Sequence, residues 1–90
     1  MQQMVKQMKN TVEQAQAARD AIQEAANRWQ GDFLTRPDVK RFTGGAISTG
    51  HLANLDSKGN GPEGAFYLGR KIVYPKNQLS KWLQSRIGVK

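Results

Sequence analysis

Residues 65–74 read Ala65-Phe66-Tyr67-Leu68-Gly69-Arg70-Lys71-Ile72-Val73-Tyr74, and this run decides the architecture. Phe66 and Leu68 alternate onto one face of a strand, and Ile72 and Tyr74 onto one face of a second. Gly69 supplies the backbone freedom for a tight turn between them. The run therefore predicts a β-hairpin with Arg70 and Lys71 at its tip. Tyr67 points away from the strand face that carries Phe66 and Leu68.

Helix signals flank the hairpin on both sides. Upstream, Thr35 stands where a helix N-cap is needed, with Pro37 in the first turn and Asp38 three residues on. Val39 and Phe42 give that helix one apolar face, and Thr43-Gly44-Gly45 ends it. Ser48 can cap a second helix, in which Leu52 and Leu55 point inward at i and i+3. Lys58-Gly59-Asn60-Gly61-Pro62 stops that helix. Downstream, Pro75 opens a last helix with Leu79, Trp82 and Leu83 as its apolar stripe. Trp82, Phe42, Phe66 and Leu79 read as core. Two short helices joined by a Gly-containing turn form a helix-turn-helix. The order helix, helix, hairpin, helix, over Phe33 to Arg86, predicts a winged helix-turn-helix, mainly α with a small β-hairpin.

The first thirty residues have another character. They hold no Pro or Gly before Gly31 and are rich in Ala, Gln, Lys and Glu, so they read as one long helix. Met1, Met8, Ala15, Ile22 and Trp29 recur at one position of a seven-residue frame, and Met4, Thr11, Ala18 and Ala25 at a second. Val5 and Val12 widen that stripe. A seam sustained this way fits self-association of residues 1–30 into a homo-dimer or oligomer. The alternative is a helix that folds back over the rest of the chain with Ile22 and Trp29 as anchors, or one that frays. The chain thus divides into residues 1–31, a helix, and residues 32–90, the winged domain.

Charge divides along the same line. Net charge is +7 overall, from fourteen Lys and Arg against seven Asp and Glu. Residues 32–90 hold ten basic and four acidic side chains, while residues 1–31 hold four and three. A positive field on the C-terminal part favours an anionic polymer as partner. There is no Cys, which excludes disulfides and thiolate metal sites. No apolar run approaches the ~20 residues of a membrane span, and no signal peptide stands at the N-terminus. These features point to a cytoplasmic protein that uses neither metal nor cofactor. A single His and the lack of a carboxylate cluster leave no nucleophile–base pair, so an enzyme is not expected.

The chain resembles the excisionase and AlpA-type helix-turn-helix family, related to the DNA-binding domain of MerR-like regulators. The matching residues are Phe33-Leu34-Thr35, Ile47-Ser48-Thr49, Gly61-Pro62, Leu68-Gly69-Arg70-Lys71-Ile72-Val73-Tyr74 and Asn77-Gln78-Leu79-Ser80-Lys81-Trp82-Leu83. The resemblance implies a bacterial or phage-encoded protein of the mobile-element kind, acting in transcription, or beside a recombinase, or both. Leu55 stands where relatives carry Trp, and Asn54 where they often carry Arg. Gly44-Gly45 lengthens the inter-helix turn by a residue. No base preference carries over. Two other readings keep or drop DNA: the DNA-recognition subunit of a phage packaging complex (a small terminase), and a protein-interaction adaptor.

In the DNA reading, the second helix lies in the major groove of double-stranded DNA and presents Ser48, Thr49, His51 and Asn54. Asn54 can bond adenine with both ends of its amide. Ser48 can cap the helix and face a phosphate as well. Gly50 permits close backbone approach or is simply tolerated in the helix. Arg70 and Lys71 on the wing straddle the backbone or enter the minor groove. Tyr67 bonds a phosphate or is an ordinary exposed strand residue. Arg36, Lys40, Arg41 and Lys58 are candidate phosphate clamps.

Overall fold

Helix α1 (Gln2–Arg28) leads into strand β1 (Phe33–Thr35), and helices α2 (Arg36–Phe42) and α3 (Thr49–Ser57) follow. Strands β2 (Phe66–Leu68) and β3 (Lys71–Pro75) and helix α4 (Lys76–Ser85) complete the chain. The computed structural model describes residues 2–88, with side chains from residue 12 to residue 88. Of the predicted seam, Met1 and the side chains of Met4, Val5, Met8 and Thr11 lie outside the described residues.

Local chemistry sets the two short helices. The Thr35 hydroxyl accepts the Asp38 N–H at 3.3 Å, and the Asp38 carboxylate accepts the Thr35 N–H at 3.1 Å. This reciprocal capping box starts α2 at the predicted place. Two successive glycines with positive φ, Gly44 at +64° and Gly45 at +88°, then reverse the chain, which a side chain would resist. Ser48 caps α3 by accepting the His51 N–H at 3.1 Å. At the far end, Gly59 takes φ +76°. The Asn60 N–H reaches the Leu55 carbonyl at 2.8 Å and the Gly59 N–H reaches that of Asp56 at 3.0 Å, a Schellman stop.

The sheet differs from the expectation in two ways. It has three antiparallel strands in the order β1-β3-β2, because Phe33-Leu34-Thr35 pairs with β3 instead of merely leading into α2. The hairpin has the predicted tight turn, formed by Gly69 and Arg70 with Gly69 at φ +68°. That turn fixes the register as Leu68↔Lys71, Tyr67↔Ile72 and Phe66↔Val73. Facing residues share a side of the sheet. Phe66 and Leu68 therefore lie on the side opposite Ile72 and Tyr74, and Phe66 is not core. Phe66 is 40% exposed and Leu68 62%. Phe66 instead meets Phe33 edge-on across the outer face, ring centroids 5.5 Å apart.

The core is Leu34, Val39, Leu52, Tyr74, Leu79 and Leu83, with Phe42, Ile47, Ile72 and Trp82 packed around it. It lies between the inner sheet face, α2–α3 and α4. The C-terminal end of α1 closes it. Ala26 is buried, Ile22 and Trp29 lie against the core, and the Trp29 ring meets Phe42 edge-on at 5.9 Å. Gln23 accepts from Ser80 and from Gln84, each at 3.2 Å, which pins α1 to α4. The end of the seam is thus used on the chain's own core. Toward its other end α1 runs past the body: Val12 is 71% exposed. The radius of gyration, 15.1 Å, exceeds the ~12 Å of a compact chain of this length. Among the described residues, no helix is long and apolar enough to cross a membrane.

The two ends of α1 should respond differently to truncation of a side chain. Trp29→Ala is expected to cost about 2–3 kcal/mol in urea unfolding, somewhat less than a fully buried Trp. At protein concentrations too low for self-association, Val12→Ala should change stability by less than ~0.5 kcal/mol. Equal losses would mean that α1 is not anchored through its C-terminal end.

Candidate nucleic-acid interface

Helix α3 turns Leu52 fully inward, half-buries Leu55, and leaves Ser48, Thr49, Gly50, His51 and Asn54 exposed. Ser48 contributes its oxygen to the cap, so the Thr49 and Gly50 amides in the first turn have no intrahelical acceptor. A Cβ built on Gly50 would meet nothing within 4 Å. The fold therefore does not require glycine there, although it costs the helix about 1 kcal/mol relative to Ala.

Arg70 and Lys71 are exposed at the hairpin turn, and Tyr67 is 70% exposed. The turn lies beside the start of α2. A cleft of about 250 Å³ there is lined by Thr35, Arg36, Pro37, Arg70, Lys71 and Ile72. Lys40 on α2 and Lys58 at the end of α3 are exposed, and neither has a carboxylate partner among the described residues. Arg41 pairs with Asp38 one turn away, yet its side chain remains 71% exposed. Such a surface pair is weak and can be exchanged for another anion.

Arg36, a candidate phosphate clamp, is also held within the protein, with its side chain still 27% exposed. Its Nη2 donates to Asp56 Oδ2 at 2.9 Å and its Nε to the Tyr74 hydroxyl at 3.0 Å. The Tyr74 hydroxyl in turn donates to the same Asp56 oxygen. Three elements, α2, α3 and β3, thus meet in a closed ring of hydrogen bonds. Burial, then the hydrogen bond to Asp56, pushes the Tyr74 phenol up to about 12, against the opposing pull of Arg36. The hydrogen bond to Tyr74 raises Arg36, with help from Asp56 and against desolvation. At Asp38, burial acts upward, but the Thr35 amide and the Arg41 guanidinium outweigh it and hold the carboxyl below its usual range.

Sequence reasoning did not single out Asp56 or Tyr74 as partners. One signal was present. An acid in the last turn of a helix opposes the helix dipole unless a cation answers it, and Asp56 occupies such a position. Gly61 is a second mark, since a Cβ there would sit 1.9 Å from Asp56 Oδ1. Among the described residues, no group of three or more His, Asp or Glu is placed to hold a metal ion. Compared with known proteins, the chain matches no family model, no curated protein and no solved structure.

The Tyr74 phenol gives a signed pH effect. Its folded pKa lies above its unfolded value of 10.0, so its contribution is whole below pH 10 and drains away as pH rises toward 12. Tyr74→Phe should lose about 1.5–3 kcal/mol at neutral pH, because hydrogen bonds to charged groups go. It should also show a shallower alkaline decline than the wild type. Parallel stability–pH curves for the two proteins, from urea unfolding, would contradict this assignment.

Proposed function

We propose that the region from Phe33 to Arg86 works as a winged helix-turn-helix that binds double-stranded DNA in a sequence-specific way. It acts by binding and not by catalysis, as an excisionase-like or transcription regulator of the mobile-element kind. In this reading α3 enters the major groove, with Asn54, His51, Thr49 and Ser48 toward base edges and the first-turn amides toward a phosphate. The β2–β3 hairpin is the wing, and Arg70 and Lys71 grip the backbone or the minor groove.

The observation that carries the reading is the distribution of polar groups. The exposed face of α3 is polar and uncharged, while Asp38 and Asp56 are both engaged within the chain. That leaves Lys40, Arg41, Lys58, Arg70 and Lys71 to answer an external polyanion. Gly50 is compatible with it, since nothing lies within 4 Å of where its Cβ would stand and another surface could come close there.

If these five cations each neutralise one phosphate, log affinity falls against log salt at a slope near −4.5. Replacing Arg70 and Lys71 together by Ala should weaken binding to every duplex and flatten that slope by about two. Asn54→Ala should instead reduce discrimination between duplexes more than it reduces affinity for random sequence. Fluorescence anisotropy at several salt concentrations reads both. A protein that fails to bind any duplex at moderate salt would favour the adaptor reading.

One module of this size, about 600–1,000 Å² of contact, seldom selects a site strongly alone. We further propose that the part of α1 running past the body, where Val12 is exposed, pairs with a second copy. Linking two modules raises affinity without new base contacts. Sedimentation should show a dimer at tens of micromolar that dissociates when residues 1–14 are removed. A wild type that sediments as a monomer would exclude it.

A further inference from the structure

We infer that the Arg36–Asp56–Tyr74 ring is a positioning device that locks α3 to the wing. Asp56 and Tyr74 then set discrimination between DNA sites without touching DNA, a consequence that rests on the DNA reading above.

Helix α3 is held in two ways. Its apolar side packs on α2 through the buried Leu52 and Val39. Among the described residues, its only side-chain hydrogen bonds to other elements run through Asp56, to Arg36 and to Tyr74. Tyr74 is 0% exposed and sits on β3, the central strand, paired on one side by β1 and on the other by β2. Lys71 begins that same strand beside the turn. Three residues of strand, about 10 Å, therefore separate the lock from the wing tip. Arg36 closes the triangle from the first position of α2, where it shares the cleft with Arg70 and Lys71.

A polar ring is a poor choice for stability alone. Partly buried ion pairs roughly break even against apolar side chains of similar volume. Hydrogen bonds have direction, however, and packing of Leu52 does not. The ring fixes the angle of α3 against β3, whereas the apolar contacts fix only its distance. The chain also keeps a space for it, because any side chain at Gly61 would collide with the Asp56 carboxylate.

Loosening such a lock has a distinctive effect. Contacts to phosphates are long-ranged and tolerate a displacement. Hydrogen bonds to base edges do not, and sites of this kind require placement within about 0.5 Å. Discrimination should fall while charge-driven binding stays. Asp56→Asn has an added consequence, since it frees the Arg36 guanidinium beside the wing.

The test compares a duplex selected from a random pool by the wild-type protein with a scrambled duplex of equal length. Tyr74→Phe should reduce the affinity ratio between them about tenfold with no change in salt slope. Asp56→Asn should reduce the ratio too, and steepen the slope on scrambled DNA by about one. Gly61→Ala, which disturbs the ring without removing any of its groups, should behave as Tyr74→Phe does. Losses that are equal on both duplexes, or no loss at all, would overturn the proposal.

A second measurement needs no DNA. The chain has no Cys, so Asn54→Cys with Arg70→Cys accepts two spin labels at unique places. The label–label distance should be a single narrow distribution, broadened when Tyr74→Phe is added. An unchanged distribution would overturn the lock itself. A wild type that binds no duplex would instead overturn the DNA reading and with it the consequence for recognition, and the distance measurement separates the two.

Discussion

One oxygen of the Asp56 carboxylate lies where α2, α3 and β3 converge, and it accepts from both Arg36 and Tyr74. The elements around it are short: α2 has 7 residues, α3 has 9 and β3 has 5. Helices of that length do not persist alone, and a core of a few buried side chains fixes their spacing better than their angles. The ring of hydrogen bonds supplies the angles. Tyr74 serves twice, since its ring fills the core beside Leu34 and Leu52 while its hydroxyl closes the network.

Much of the chain's layout was legible in residue order. Thr35 with Asp38, Ser48 with the amide three residues on, and Gly59 after the last turn of α3 are local signals, and local hydrogen bonds answer each of them. The Gly69 turn was legible for the same reason. What was not legible depends on register and on distant pairing. The side of the sheet that Phe66 occupies follows from which residue it faces, and one step of register exchanges the two sides. Strand β1 was hidden because a three-residue run that ends in the helix cap itself carries no alternation to read. Nothing local to Arg36 marks its partner, because Asp56 lies 20 positions away in the chain.

The same limit applies to α1. Its seven-residue apolar frame describes a stripe but not what covers it. At Ile22 and Trp29 the stripe meets the chain's own core, helped by Gln23 bridging to Ser80 and Gln84. The long helix is thereby a lever fixed at one end to the basic domain. The placement of cations is simpler to interpret. With Arg36 hydrogen-bonded inside the fold, Lys40, Arg41, Lys58, Arg70 and Lys71 remain exposed on α2, at the end of α3 and at the hairpin turn.

We have proposed that α3 and the β2–β3 hairpin together form one surface for duplex DNA. Backbone amide shifts, followed by NMR as a duplex is added, test it most directly. Changes are expected to concentrate at residues 48–58 and 67–71, with α4 and the outer face around Phe33 and Phe66 unaffected. Shifts confined to that outer face or to α1, or none anywhere with excess DNA, would contradict it.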